Sequence, residues 1–175
     1  NIGYLYKMVG KEDYYYISLD TENGTVLSSN QGHFEWVLDR ALPRGGSISL
    51  CQFNFSTTSV TGFGTNGLNG VLIVSENLGP RNQSYVSIGS GSSKPVPTCL
   101  LAQIPNQSVY TNDGSEILLG SYEPYNPIVV DLNPHNEIFE VRLKLTDPDG
   151  NSIIAALDSD LDWSVLLKVQ YPQKG

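Results

Sequence analysis

The residues able to do chemistry are few in this 175-residue chain, and their spacing does not assemble a reactive centre. Nucleophilic catalysis needs a base beside the nucleophile, usually a histidine. There are two histidines. His33 sits between Gly32 and Phe34 at the start of a strand, and His135 lies in the turn Asn133-Pro-His-Asn136; both read as surface loop residues. No Gly-x-Ser-x-Gly, His-Glu-x-x-His or Cys-x-x-Cys occurs, and no set of three His or Cys has zinc spacing. Carboxylates are plentiful, with 18 Asp and Glu. Asp147, Asp149 and Asn151 alternate, as do Asp158, Asp160 and Asp162. Hard oxygen ligands at alternate positions suit calcium, but Pro148 stiffens the first run and the closing Glu of a calcium loop is missing. Both runs therefore read as turn chemistry and solvated charge. Nothing singles out one acid pair for glycoside hydrolysis. The reading is a non-enzymatic protein with no catalytic, metal or cofactor residues.

Composition agrees with a binding or structural role. The net charge is −8, and the ten Lys and Arg are scattered. A phosphate backbone is held by clustered cations, so direct nucleic-acid binding is disfavoured. No apolar run reaches the length of a membrane-spanning helix. Cys51 and Cys99 both lie in apolar strand-like runs and read as separate core thiols. Sequons at Asn23, Asn54, Asn82 and Asn106 read as chance matches, since no secretory signal is visible.

The elements that carry these residues are strands. Gly (17) and Pro (10) punctuate the chain, and no segment carries a helical apolar stripe. Residues 137–146 alternate, with Phe139, Val141, Leu143 and Leu145 on one side and Glu140, Arg142 and Lys144 on the other. Side chains of a strand point alternately to its two faces, so one face is buried and one wet. Asp147-Pro-Asp-Gly150 is a turn, and residues 163–170 form the second long C-terminal strand. The same logic gives main strands near 13–19, 34–38, 47–56, 70–75, 98–104 and 127–132. In the 47–56 strand, Cys51, Phe53 and Phe55 take one face and Ile48 and Leu50 the other. Residues 70–75 are apolar on both faces, hence central. Residues 1–12 are an arm or an edge strand, and 116–122 a short extended piece.

Eight antiparallel strands in two packed four-stranded sheets make an all-β jelly-roll sandwich, one domain over residues 1–175. Immunoglobulin-like sandwiches are the rival; Cys51 and Cys99 lack the Trp that such domains place between them.

Several segments, taken in order, resemble one family. Phe34-Glu-Trp-Val-Leu-Asp-Arg-Ala-Leu-Pro43 followed by Ser47-Ile-Ser-Leu-Cys-Gln-Phe-Asn-Phe55 is similar to the N-terminal half of single-jelly-roll capsid proteins from the polinton, virophage and adintovirus group of double-stranded DNA viruses. Val71-Leu-Ile-Val-Ser-Glu-Asn-Leu78 and Cys99-Leu-Leu-Ala-Gln-Ile-Pro105 resemble their middle section. Tyr122-Glu-Pro-Tyr-Asn-Pro-Ile-Val-Val130, Ile138-Phe-Glu-Val-Arg-Leu143, Thr146-Asp-Pro-Asp-Gly-Asn151 and Val165-Leu-Leu-Lys-Val169 resemble their C-terminal half. The resemblance spans about residues 34–170 and implies a penton, the pentameric vertex protein of an icosahedral capsid. Its implied partners are copies of itself and a major capsid protein, its implied location the virion, and it implies no catalysis. A ring closes only by head-to-tail contacts. Loops that set an aromatic among small polar residues suit such contacts, which nominates Phe63, Tyr85, Tyr110, Tyr122 and Tyr125. The alternative is a carbohydrate-binding sandwich that presents Tyr, Trp and Asp in its loops.

Overall fold

The computed structural model describes residues 3–5, 13–27, 32–56, 71–79, 99–105, 109–110, 116–117, 119–146 and 162–173. Among them there is no helix. Thirteen strands occur in chain order: β1 Gly3–Leu5, β2 Tyr14–Asp20, β3 Thr25–Val26, β4 His33–Val37, β5 Ser47–Ser56, β6 Val71–Ser75, β7 Cys99–Ile104, β8 Val109–Tyr110, β9 Glu116–Ile117, β10 Leu119–Tyr122, β11 Val129–Asp131, β12 Glu140–Thr146 and β13 Asp162–Gln170. The expected strands correspond to β2, β4, β5, β6, β7, β11, β12 and β13. The short β1, β3, β8, β9 and β10 add to them, so the sheets hold more than the expected eight strands.

Two antiparallel sheets form a β-sandwich. One runs β1-β2-β13-β5-β10, with β11 also on β5; the other runs β3-β4-β12-β6-β7. They hold six and five strands rather than four each. β8 and β9 make a separate small ribbon. Alternation builds the interior between the sheets. Tyr15, Ile17 and Leu19 from β2, Val141, Leu143 and Leu145 from β12, and Trp163, Val165, Leu167 and Val169 from β13 are all buried in one cluster. The intervening Glu140, Arg142 and Lys144 lie on the outer, partly wet face. All five residues of β6 are buried, as its two-sided apolar sequence requires, and it lies between β12 and β7.

Two expectations about facing fail, each for a local reason. Ile48, Leu50 and Phe53 all face the core, although strict alternation separates Phe53 from the other two. The pairing of β13 with β5 shifts register, Leu166 opposing Gln52 and Leu167 opposing Leu50, so Cys51 is an extra residue. A bulge of this kind shifts the alternation by one residue, which turns Phe53 inward. Cys51 is consequently half-buried and outside the core cluster, not a core thiol. The second case is Phe139, which is 51% exposed. Here β12 begins at Glu140, because the carbonyls of Ile138 and Phe139 accept hydrogen bonds from Leu42 N (2.9 Å) and Leu38 N (2.7 Å). These residues close the 38–46 connection instead of extending the ladder.

Candidate functional site

Four aromatic residues join the sheets at one end of the sandwich. Trp163 of β13 meets Trp36 (5.5 Å between centroids) and Phe34 (5.7 Å) of β4 edge-on, and Phe53 of β5 at 6.1 Å. All four are buried. Buried indole N–H groups need an acceptor, and Trp36 Nε1 donates to the Asp20 carbonyl at 2.7 Å. Asp20 also opens the turn that leads out of β2, where its Oδ1 accepts from Asn23 N (2.9 Å) and Asn23 Nδ2 (2.6 Å). Beside this turn lies a shallow cleft of about 290 Å³, lined by Asp20, Thr21, Glu22, Asn54, Asp162, Trp163 and Ser164. Its polar groups bond one another: Thr21 Oγ1 donates to Asp162 Oδ1 (3.3 Å) and accepts from Trp163 N (3.3 Å), while Asn54 Nδ2 donates to Ser164 Oγ (3.4 Å). The cleft is a joint between the turn and the sheet.

The outer face of the five-stranded sheet carries a charge lattice. Arg142 bonds Glu35 on the neighbouring strand and Glu140 on its own, each at 2.6 Å. The Glu35 hydrogen bond, chiefly, raises the Arg142 pKa. His33 is not a loop residue. It opens β4 with a largely buried side chain, its Nε2 lying 3.3 Å from Glu76 Oε2 but not aligned as a hydrogen bond. His135 is exposed, its backbone N–H donating to Asn133 Oδ1 at 2.8 Å. Among the described residues no group of three His, Cys, Asp or Glu is placed to hold a metal ion. Both cysteines are free. Burial pushes the Cys99 thiol up to about 11. Burial also raises the Cys51 pKa, against the pull of nearby Lys168.

The surface most like a binding site is an edge of the six-stranded sheet. β10 and β11 pair the same side of β5, β10 opposite Phe53–Ser56 and β11 opposite Ser47–Ser49. Between them residues 123–128 leave the ladder, opposite the bulge at Cys51. Pro124 and Pro127 explain the departure, since neither has an N–H to donate. The excursion carries Tyr125 outward to 97% exposure, followed by Ile128 at 39% and Val129 at 56%. Glu123 and Asp131 are exposed on either side. The result is an apolar strip with an acidic rim, along a flank that proline protects from strand addition.

The nominated tyrosines separate here. Tyr122 and Tyr125 come together on this flank, but Tyr122 ends β10 opposite Phe53 and packs against the core, while Tyr125 points away from it. The Tyr110 backbone lies in β8 opposite Glu116. Phe63 and Tyr85 lie outside the described residues, as do Asp147, Asp149, Asn151, Asp158 and Asp160. The exposure of Ile128 and Val129 is not legible in the alternation of the sequence; Pro127 ahead of them is the available signal. The chain matches no protein-family profile, and no curated protein matches it in sequence.

Proposed function

We propose that this chain is a jelly-roll structural protein of an icosahedral virion, a penton-like vertex subunit that forms a homopentameric ring and contacts a major capsid protein. The observation that carries the reading is a nested order of pairing. Setting the five short additions aside except β10, which shares the β5 edge with β11, the first main strand pairs the last (β2 with β13). The second pairs the seventh (β4 with β12), the third the sixth (β5 with β10 and β11), and the fourth the fifth (β6 with β7). This is one long antiparallel hairpin, rolled so that alternate ribbons fall in opposite sheets. That order supports a jelly roll, two interlocked Greek keys, an architecture used by viral capsid and lectin domains. The resemblance over residues 34–170 favours the capsid use.

The Tyr125 flank supports assembly as the role. An apolar centre with a charged rim is the anatomy of a protein–protein contact. Proline at positions 124 and 127 limits open-ended edge pairing and leaves side-chain contact as the means of association. Co-expression with a major capsid protein of the same virus group tests the proposal. The expected outcome is icosahedral particles with five copies of this chain at each vertex by electron microscopy. Particles that form without incorporating it, together with a chain that stays monomeric, contradict the proposal.

A further inference from the structure

The turn at the end of β2 contains the dipeptide Asn23-Gly24, which the assembly role does not use. We propose that Asn23 is a modification site, converted to aspartate and isoaspartate, and that this conversion breaks the turn that secures Trp36.

The chemistry needs only water. The Gly24 amide nitrogen attacks Cγ of Asn23; the new C–N bond forms as the Cγ–Nδ2 bond breaks, and the Gly24 amide proton leaves with Nδ2 as ammonia. Water then opens the cyclic imide at either carbonyl, giving aspartate or isoaspartate. Glycine as the following residue puts no side chain in the way of the attack. Asn23 is exposed, so water reaches the imide.

The consequences follow from what surrounds the turn. The Asn23 carboxamide donates to Asp20 Oδ1 at 2.6 Å. Conversion replaces that donor with a carboxylate, so a hydrogen bond becomes a contact between two negative charges. The backbone carbonyl of the same Asp20 is the acceptor for Trp36 Nε1, which ties the charge clash to the aromatic cluster. Isoaspartate adds a backbone methylene just before Gly24. That insertion displaces Gly24, which is packed closely against the core rings: a carbon added on its Cα would lie 2.7 Å from Trp36 Nε1 and 2.8 Å from Phe34 Cδ1. The residue that makes Asn23 reactive thus lies against the Trp36 and Phe34 rings.

Two measurements test this. In the first, the folded protein is incubated at mildly alkaline pH and the peptide spanning residues 21–25 is mapped by mass spectrometry. The expected result is growth of aspartyl and isoaspartyl forms at position 23, faster in Asp20→Ala, where the carboxamide loses its hydrogen bond to Oδ1. In the second, Asn23→Asp is compared with the double variant Asp20→Asn, Asn23→Asp, which restores one donor to the pair. The expected result is a lowered melting temperature for the single variant and partial recovery in the double. Should Asn23→Asp not fold, the mapping of the unaltered chain decides alone. An unmodified position 23, over a time in which the same segment converts in denatured protein, overturns the site. Equal stability of Asn23→Asp and the unaltered chain overturns the claimed consequence.

Discussion

Two aromatic regions of this molecule do opposite work. Phe34, Trp36, Phe53 and Trp163 are buried between the sheets, drawn from both, with ring centroids 5.5 to 6.1 Å apart. Tyr125 stands 97% exposed on the flank of one sheet. The difference is made by the backbone. The four buried rings sit on strands whose ladders hold them at inward-facing positions, and each is covered by the opposing sheet. Tyr125 sits between two prolines where the chain has left its ladder, and none of the described residues covers it. In these two regions an aromatic residue is buried where the hydrogen-bond register continues and exposed where it is interrupted.

The largest effect belongs to the first region. Trp163→Ala removes the ring that touches both sheets, and unfolding in urea is expected to show a loss of about 3–5 kcal/mol. A smaller loss would mean that the sheets are held mainly by their aliphatic residues. Gly24→Ala comes next. The added methyl meets the Trp36 and Phe34 rings at under 3 Å, and overpacking of this kind costs about 1–3 kcal/mol in the same assay.

A third test uses pH. Burial raises the Cys99 thiol from 9.0 to about 11. Between those values the unfolded chain releases a proton that the folded chain retains, so folding stability falls as pH rises through that window, by at most about 1.4 kcal/mol per pKa unit. Below pH 9 this contribution to pH dependence vanishes. The stability gap between the unaltered chain and Cys99→Ala should therefore narrow from pH 9 to 11. A gap independent of pH would show that Cys99 ionises as freely in the folded chain as in the unfolded.

Glu35→Gln, on the outer charge lattice, is expected to cost at most about 1 kcal/mol, since Arg142 keeps Glu140 and the pair is partly solvated. The smallest effect on stability is that of Tyr125→Ala, within about 0.5 kcal/mol, because its side chain touches so little of its own fold. Thermal melts of the two regions side by side would break the comparison if Tyr125→Ala proved as damaging as Trp163→Ala.

How far the sequence reveals this arrangement depends on the length of uninterrupted alternation. β2, β12 and β13 are legible because several inward positions in a row are apolar and their neighbours polar. β6 is legible because it is apolar on both faces. The inward turn of Phe53 is not legible, since a bulge inverts facing without any residue that must mark it; Cys51 is an unremarkable extra residue. His33 also reads as exposed from its neighbours Gly32 and Phe34, whereas β4 pairs β12 from its first residue and brings the imidazole beside Glu76. Tyr122 and Tyr125 look alike in sequence. Only the pairing of β10 with β5, which ends at Tyr122, separates the packed ring from the exposed one.

Proposed pentamer assembly through the Tyr125 flank is tested most directly by sedimentation of the unaltered chain against Tyr125→Ala over a wide concentration range. The account predicts that the unaltered chain gains a species of five subunits as concentration rises. It predicts that Tyr125→Ala, equally folded, needs a higher concentration to reach it, by the roughly 2 kcal/mol or more that a central interface aromatic contributes. Identical oligomer distributions for the two proteins, or a chain that remains monomeric throughout, would contradict it.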